Sequence, residues 1–254
     1  RQLERILSNP ELYLRDNYSS RFSQITMNYT NSQVAAKLLE LGEFKWNDKT
    51  SEAMLAKANL TVQAREEQVL DMKIKYTGEW SGTIRHGRGT QVWPDGTRYD
   101  GYFLNDKQEG YGRIIHSDGD VYTGYWKNNM SHGVGSYVHF DGAKYDGIWF
   151  EDKHHGQGRE EWADGAVYTG AYVNGKKNGH GRFEWRDGSS FEGDFYKNKM
   201  QGNGIYIWSD GRKYSGSWKD NMMHGEGVFT CADGREYAGE YVKDKKEGYG
   251  DFKW

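Results

Sequence analysis

Four histidines, His86, His132, His155 and His224, each stand directly before the first glycine of a Gly-x-Gly pair. Imidazole is the side chain best suited to hold zinc or move protons near neutral pH, so the recurrence invites a metal or acid–base reading. His154 and His155 form the one adjacent pair, with no Cys or acidic cluster beside them. Seven aspartates, at 95, 118, 141, 164, 187, 210 and 233, could suggest carboxylate pairs, yet each directly precedes a glycine. Asp-Gly is turn chemistry, in which the carboxylate bonds its own backbone. The sequence has no phosphate-binding glycine loop, nucleophile elbow or His-Glu-x-x-His. No catalytic, cofactor-binding or metal-binding residue is therefore expected, and no cofactor.

These residues share one spacing. An aromatic-x-Gly-x-aromatic pattern begins at Tyr76, Tyr99, Tyr122, Tyr145, Tyr168, Phe191, Tyr214 and Tyr237, in steps of 23 residues without a slip. Gly-x-Gly and Asp-Gly keep the same step, which is the mark of a repeat array. Tyr76, Gly78 and Trp80 share parity, as do Gly87, Gly89, Gln91 and Trp93, while Thr77 and Glu79 alternate with them. That is a strand pattern, aromatic on one face and polar on the other. A polar run such as Lys127–Gly133 predicts the turn inside a unit, and Asp-Gly the hairpin turn to the next. Glycines inside the strands predict slots into which aromatic rings fold. Two strands per unit at roughly 4.8 Å each put equivalent histidines about 10 Å apart, too far to share one zinc.

Tyr-x-Gly-x-Trp, His-Gly-x-Gly and Asp-Gly-x-x-Tyr, repeated over 76–254, resemble the MORN repeat (membrane occupation and recognition nexus). The resemblance implies a mostly β fold, an elongated single-layer antiparallel sheet of eight tandem hairpins, on the order of 75 Å long from strand spacing. It also implies a non-enzymatic interaction module. Composition fits: only 35% of residues are hydrophobic, but 10 Trp, 19 Tyr and 10 Phe supply large rings to bury.

Residues 1–75 differ in texture and form a helical and irregular N-terminal segment. Asn9-Pro10 predicts a helix start, Leu12–Tyr29 reads as irregular, and Ser32 caps a helix over Gln33–Leu41 closed by Gly42. A longer helix is predicted from Thr50 or Ser51 to about Met72, docking through Leu55, Ala58, Val62, Val69 and Met72. Between them, 42–48 (Gly-Glu-Phe-Lys-Trp-Asn-Asp) copies the second strand of a unit. It reads as a degenerate half-repeat capping the sheet, or as a loop with two buried aromatics.

Charge bears on partners. The repeat part holds 23 Lys/Arg against 27 Asp/Glu, so nucleic-acid and anionic-membrane binding lack a driving field and are not expected. No apolar run approaches the roughly 20 residues of a bilayer span, and the lone Cys231 fits a reducing, cytoplasmic setting. The expected function is a protein-interaction scaffold, a subunit of a larger complex that takes a helix or extended peptide on its aromatic face. Trp80, Tyr99, Tyr122, Trp126, Tyr145 and Trp149 are the expected anchors. Arrays without an enzyme domain resemble those of ciliary and flagellar (axonemal) radial spokes. The alternatives are a regulatory segment of a larger lipid kinase or lysine methyltransferase, and a membrane-tethering module.

Overall fold

In a computed structural model the described residues are 31–254, and they divide into two compact units that meet between Phe140 and Asp141. The helix start predicted at Asn9 and the stretch Leu12–Tyr29 lie outside the described residues.

The first unit carries α1 (Ser32–Leu41), α2 (Lys49–Ala58) and seven strands. These are β1 (Gln63–Val69), β2 (Lys75–Ser81), β3 (Ile84–Val92), β4 (Arg98–Leu104), β5 (Lys107–Ile115), β6 (Val121–Lys127) and β7 (Met130–Val138). Each pairs antiparallel with the next. The second unit is all strand among its elements. It runs β8 (Lys144–Phe150), β9 (Lys153–Glu161), β10 (Val167–Val173), β11 (Lys176–Glu184) and β12 (Ser190–Tyr196). It continues with β13 (Lys199–Ile207), β14 (Lys213–Lys219), β15 (Met222–Thr230), β16 (Glu236–Val242) and β17 (Lys245–Lys253), again each paired with its successor.

Within each repeat the two strands face one another through their glycines, for example Gly101 opposite Gly112. A bulge follows, because Phe103 pairs with Gln108 and leaves three residues of β5 opposite one of β4. Gly110 takes the bulge position at φ 72°, a conformation that a side chain would strain. The turn inside the repeat is tighter than the polar run suggests. Only Asn128 and Asn129 form it, both at positive φ (52° and 67°), which is a two-residue type I′ hairpin. Asp-Gly works in a wider loop. Gly96 sits at φ 93° while Asp95 accepts the backbone N–H of Thr97 at 2.9 Å. All seven Asp-Gly carboxylates accept the same N–H, two residues on.

The N-terminal segment departs from expectation after Ala58. Asn59 turns left-handed (φ 49°) and ends α2 fourteen residues before the predicted stop. Gln63–Val69 then runs as β1 beside β2, with Val69 and Met72 largely exposed instead of docked. The open edge of β2 offers a row of unpaired N–H and C=O groups, and pairing with it outweighs the modest helix preference of Gln, Arg and Glu. The segment 42–48 forms no strand. It is an extended link with Phe44, Trp46 and Asp48 turned inward and Glu43, Lys45 and Asn47 outward.

Candidate interaction surfaces

The six expected anchors are all inside the protein, none more than 8% exposed. Their first contact is the glycine slot. The Tyr99 ring lies across Gly101 and Gly112, where an added Cβ would come within 2.3 and 2.5 Å of its hydroxyl oxygen. That hydroxyl donates to the Tyr102 carbonyl at 3.2 Å, and the same bond, tyrosine to the residue three on, recurs from Tyr76, Tyr122, Tyr145, Tyr168 and Tyr214. The second contact is edge-to-face packing. Trp126 meets Tyr122 of its own repeat and Tyr99 of the one before, both at 5.2 Å. In the second unit Tyr168 likewise joins Tyr172 (5.3 Å) and Phe195 (5.1 Å). Each such pair adds about 0.5–1.5 kcal/mol beyond burial. This first aromatic row therefore closes on itself, and Trp80, Tyr99, Tyr122, Trp126, Tyr145 and Trp149 act as core and not as open anchors. Exposed-face alternation in the sequence cannot reveal that, because rings folding along the strand seal the face that parity leaves open.

His86 is buried beside its bulge glycine with neither ring nitrogen bonded, and among the described residues no group of three His, Cys, Asp or Glu is placed to hold a metal. His154 instead stacks on Tyr145 at 3.6 Å.

A second aromatic row, from the strand after each Gly-x-Gly, behaves differently. In the second unit Trp162 stacks on Phe183 (5.2 Å), Phe183 meets Trp185 (4.5 Å), Trp185 meets Tyr206 (5.2 Å), Tyr206 meets Trp208 (4.6 Å) and Trp208 meets Phe229 (5.4 Å). All six rings are only half-buried. Among the described residues the indole N–H groups of Trp162, Trp185 and Trp208 have no acceptor; in the first row those of Trp80 and Trp126 are buried without one, and that of Trp218 donates to the Gly204 carbonyl at 3.1 Å. Lys177 runs beneath the start of the row, 4.5 Å from the Trp162 ring and 3.2 Å from a Glu160 oxygen.

The polar side of the first unit is also not what alternation suggests, because the N-terminal segment covers it. Val34 and Leu38 of α1 pack on Ile115 and Val121. Asn31 caps α1 by accepting the Gln33 N–H and clamps two loops through Nδ2, to the carbonyls of Ser117 (2.6 Å) and Asp95 (3.3 Å). Phe44 stacks on Tyr111 (6.0 Å) and Trp46 packs edge-on to Tyr102 (6.0 Å). Asp48 caps α2, accepting from the Ser51 N–H and hydroxyl and from the Tyr125 hydroxyl at 3.0 Å. Ser51 Oγ then accepts the Tyr111 N–H at 2.8 Å. Beneath this layer Asp100 takes Arg98 through both oxygens (2.8 and 2.7 Å) and the Thr90 hydroxyl at 2.7 Å, with Arg113 at 3.6 Å. Burial works to raise the Asp100 carboxyl, but Arg98, Thr90 and Arg113 more than offset it and hold it below the usual range.

One set of structural residues has a sequence signal that the turn reading missed. The second residue of the tight turn is Asp106, Asn129, Asn198, Asn221 and Asp244, on the 23-residue period. Each accepts through its side chain the N–H of the residue 21 earlier, in the preceding repeat, and returns its own N–H to that residue's carbonyl. It stitches repeat to repeat along the turn edge.

The chain is a MORN repeat protein. The MORN repeat family matches at 76–98, 99–121, 122–144, 145–167, 168–190, 191–211, 214–234 and 237–254, which is most of the chain. No curated protein matches it. Among solved structures it is similar to the TCP domain of SAS-4 of Drosophila melanogaster, in complex with a proline-rich motif of Ana2. That match has 12% identity over 69% of this chain and 88% of that one, at a TM-score of 0.37. It is also similar to the CPAP G-box domain, at 14% identity over 66% and 99% and a TM-score of 0.28. Values this low say nothing about what this chain binds.

Proposed function

We propose that the protein is a non-catalytic scaffold of a larger assembly, receiving a protein partner along the second aromatic row of its second unit. The observation that carries this is the partly exposed run from Trp162 to Phe229, beside a first row that is closed. Partly exposed aromatic surface of this kind is what binding hot spots are made from. Three indole donors without acceptors favour an extended peptide over a helix, since a helix has already committed its carbonyls to its own N–H groups. The net acidic repeat part supports a protein partner over nucleic acid or an anionic membrane. The finer placement, a cytoplasmic subunit of a ciliary or axonemal complex, is supported by the resemblance of the repeat array to those of radial spokes.

The test is the size of the native complex on a density gradient, with the chain carrying Trp185→Ala and Trp208→Ala against wild type. Loss of the heavy species while circular dichroism is retained supports the reading. An unchanged gradient profile would overturn it. Fluorescent tagging of the same chain checks the ciliary placement, which fails if the signal stays out of the axoneme.

A further inference from the structure

Within the second unit the tryptophans of the second aromatic row have one gap in their period. Trp162, Trp185 and Trp208 stand 23 residues apart, the next position is Cys231, and the position after that is Trp254 again. Where the fourth indole would lie there is a cavity of about 240 Å³. Phe229, Cys231, Tyr237, Tyr241, Phe252 and Trp254 line it, with Arg235, Lys246, Glu236 and Asp244 as its charged residues. Lining by Phe252 and Arg235 is the signature of a missing indole, since in the preceding repeat Trp208 contacts the equivalent Phe229 at 5.4 Å and Arg212 at 5.5 Å.

The charge around the gap narrows what fits. Arg235 is held by Asp233 at 2.8 Å, and the two lining carboxylates are engaged, Glu236 with Lys253 at 3.4 Å and Asp244 with the Met223 N–H at 2.8 Å, whereas Lys246 forms no ion pair with a carboxylate among the described residues. Its ammonium sits 4.0 Å from the Tyr237 ring and 4.5 Å from that of Phe252, a cation facing an apolar slot. At the equivalent place one end of the row earlier, Lys177 has Glu160 as its counter-ion. An ammonium without an ion pair among the described residues, beside a vacancy at an indole position, asks for a flat aromatic group with a carboxylate next to it.

We infer that this gap is a binding socket for a tryptophan side chain of a partner protein, flanked in the partner by an acidic residue that pairs with Lys246. The inference rests on the reading that the second unit receives a partner, and it names the anchor. The partner's ring completes a ladder that the chain builds for itself in three other repeats, so most of the site is already in place before binding.

Cys231 is the only cysteine of the chain and lines the socket, so its alkylation reports occupancy directly. The probe is a blocked Trp-Glu dipeptide amide, with blocked Ala-Glu and Trp-Lys amides as controls. Protection of Cys231 from iodoacetamide is expected from the first, slowing the reaction at least fivefold at saturation. Ala-Glu should not protect, and Trp-Lys should need about tenfold more peptide. Lys246→Gln should abolish the difference between Trp-Glu and Trp-Lys. Cys231→Trp fills the gap with the chain's own indole. It should raise the unfolding midpoint and remove saturable dipeptide binding, read by fluorine NMR of a 5-fluorotryptophan probe. No protection by Trp-Glu, or equal protection by Ala-Glu, overturns the socket. Binding that survives Cys231→Trp overturns its location. If those failures occur while Trp185→Ala with Trp208→Ala still disperses the native complex, the socket is wrong and the scaffold reading stands.

Discussion

The two units share a repeat and differ in what covers it. In both, the first aromatic row is closed by the same edge-to-face contacts near 5 Å. In the first unit the opposite, polar side lies under α1, the 42–48 link and α2. It meets them with Tyr102, Tyr111 and Tyr125. Three repeats on, in the second unit, the same positions hold Ala171, His180 and Asp194, so one ring of the three remains, and the Tyr111 position is a tyrosine again only at the fully exposed Tyr249. Its polar side instead carries exposed ion pairs such as Arg182 with Glu184 and Glu192. Exposed pairs of this kind add little stability. A MORN face is therefore a neutral platform, and a few substituted positions decide whether it takes a strap, stays wet or stays open.

The largest expected effect sharpens the contrast between rows. Trp126→Ala removes a buried ring and should cost about 3–5 kcal/mol in chemical denaturation. Trp185→Ala, in the half-exposed second row, should cost under about 1.5 kcal/mol. Equal losses would mean that both rows are core.

Next comes the feature that both units share. Gly112→Val and Gly204→Val each drive a side chain into a ring, of Tyr99 or of Phe191. Each should cost about 1–3 kcal/mol, the usual overpacking range. The same range applies to Gly147→Val, where a Cβ would meet the Tyr145 hydroxyl oxygen at 2.5 Å. A loss at one of these sites and none at another would show that the rows are not equivalent.

A smaller effect isolates the strap. Asp48→Ala removes the α2 cap and the acceptor of Tyr125, and should cost about 1 kcal/mol. Hydrogen exchange should speed up in α2 and β5 and stay unchanged in β10–β15. Faster exchange throughout would mean that the strap supports more than its own unit.

The smallest effect is pH-dependent. Asp100 has its carboxyl held below the ordinary value of 3.8, so its contribution is complete above that value and is lost as the pH falls through the lower folded value. The first unit should lose stability below about pH 4, and Asp100→Asn should remove that part of the acid slope. An unchanged slope in Asp100→Asn would place the acid sensitivity elsewhere.

Much of the architecture was legible in the residues, because each repeat is local. Parity put Tyr76, Gly78 and Trp80 on one face, and Asp-Gly marked every inter-repeat loop. Glycine at matched register foretold the ring slots, since a hairpin brings Gly101 and Gly112 together within a few residues. The stitching Asp106 and Asn129 were on the period and could have been found, but turn composition hid a role that spans two repeats.

What the sequence by itself determined is the repeat: its length, its strand pairing, its Asp-Gly loops and the glycine slots into which its rings fold. Those follow from contacts within one or two units, repeated eight times. Tertiary structure alone decided that helix α2 stops at Ala58, that β1 takes the edge of β2, and that Phe44 and Trp46 find Tyr111 and Tyr102. It also decided which aromatic row stays open. Parity assigns a side chain to a face, but burial depends on what else arrives there. Those arrivals come from more than fifty residues away in sequence or from an unpaired sheet edge, and no local pattern encodes them.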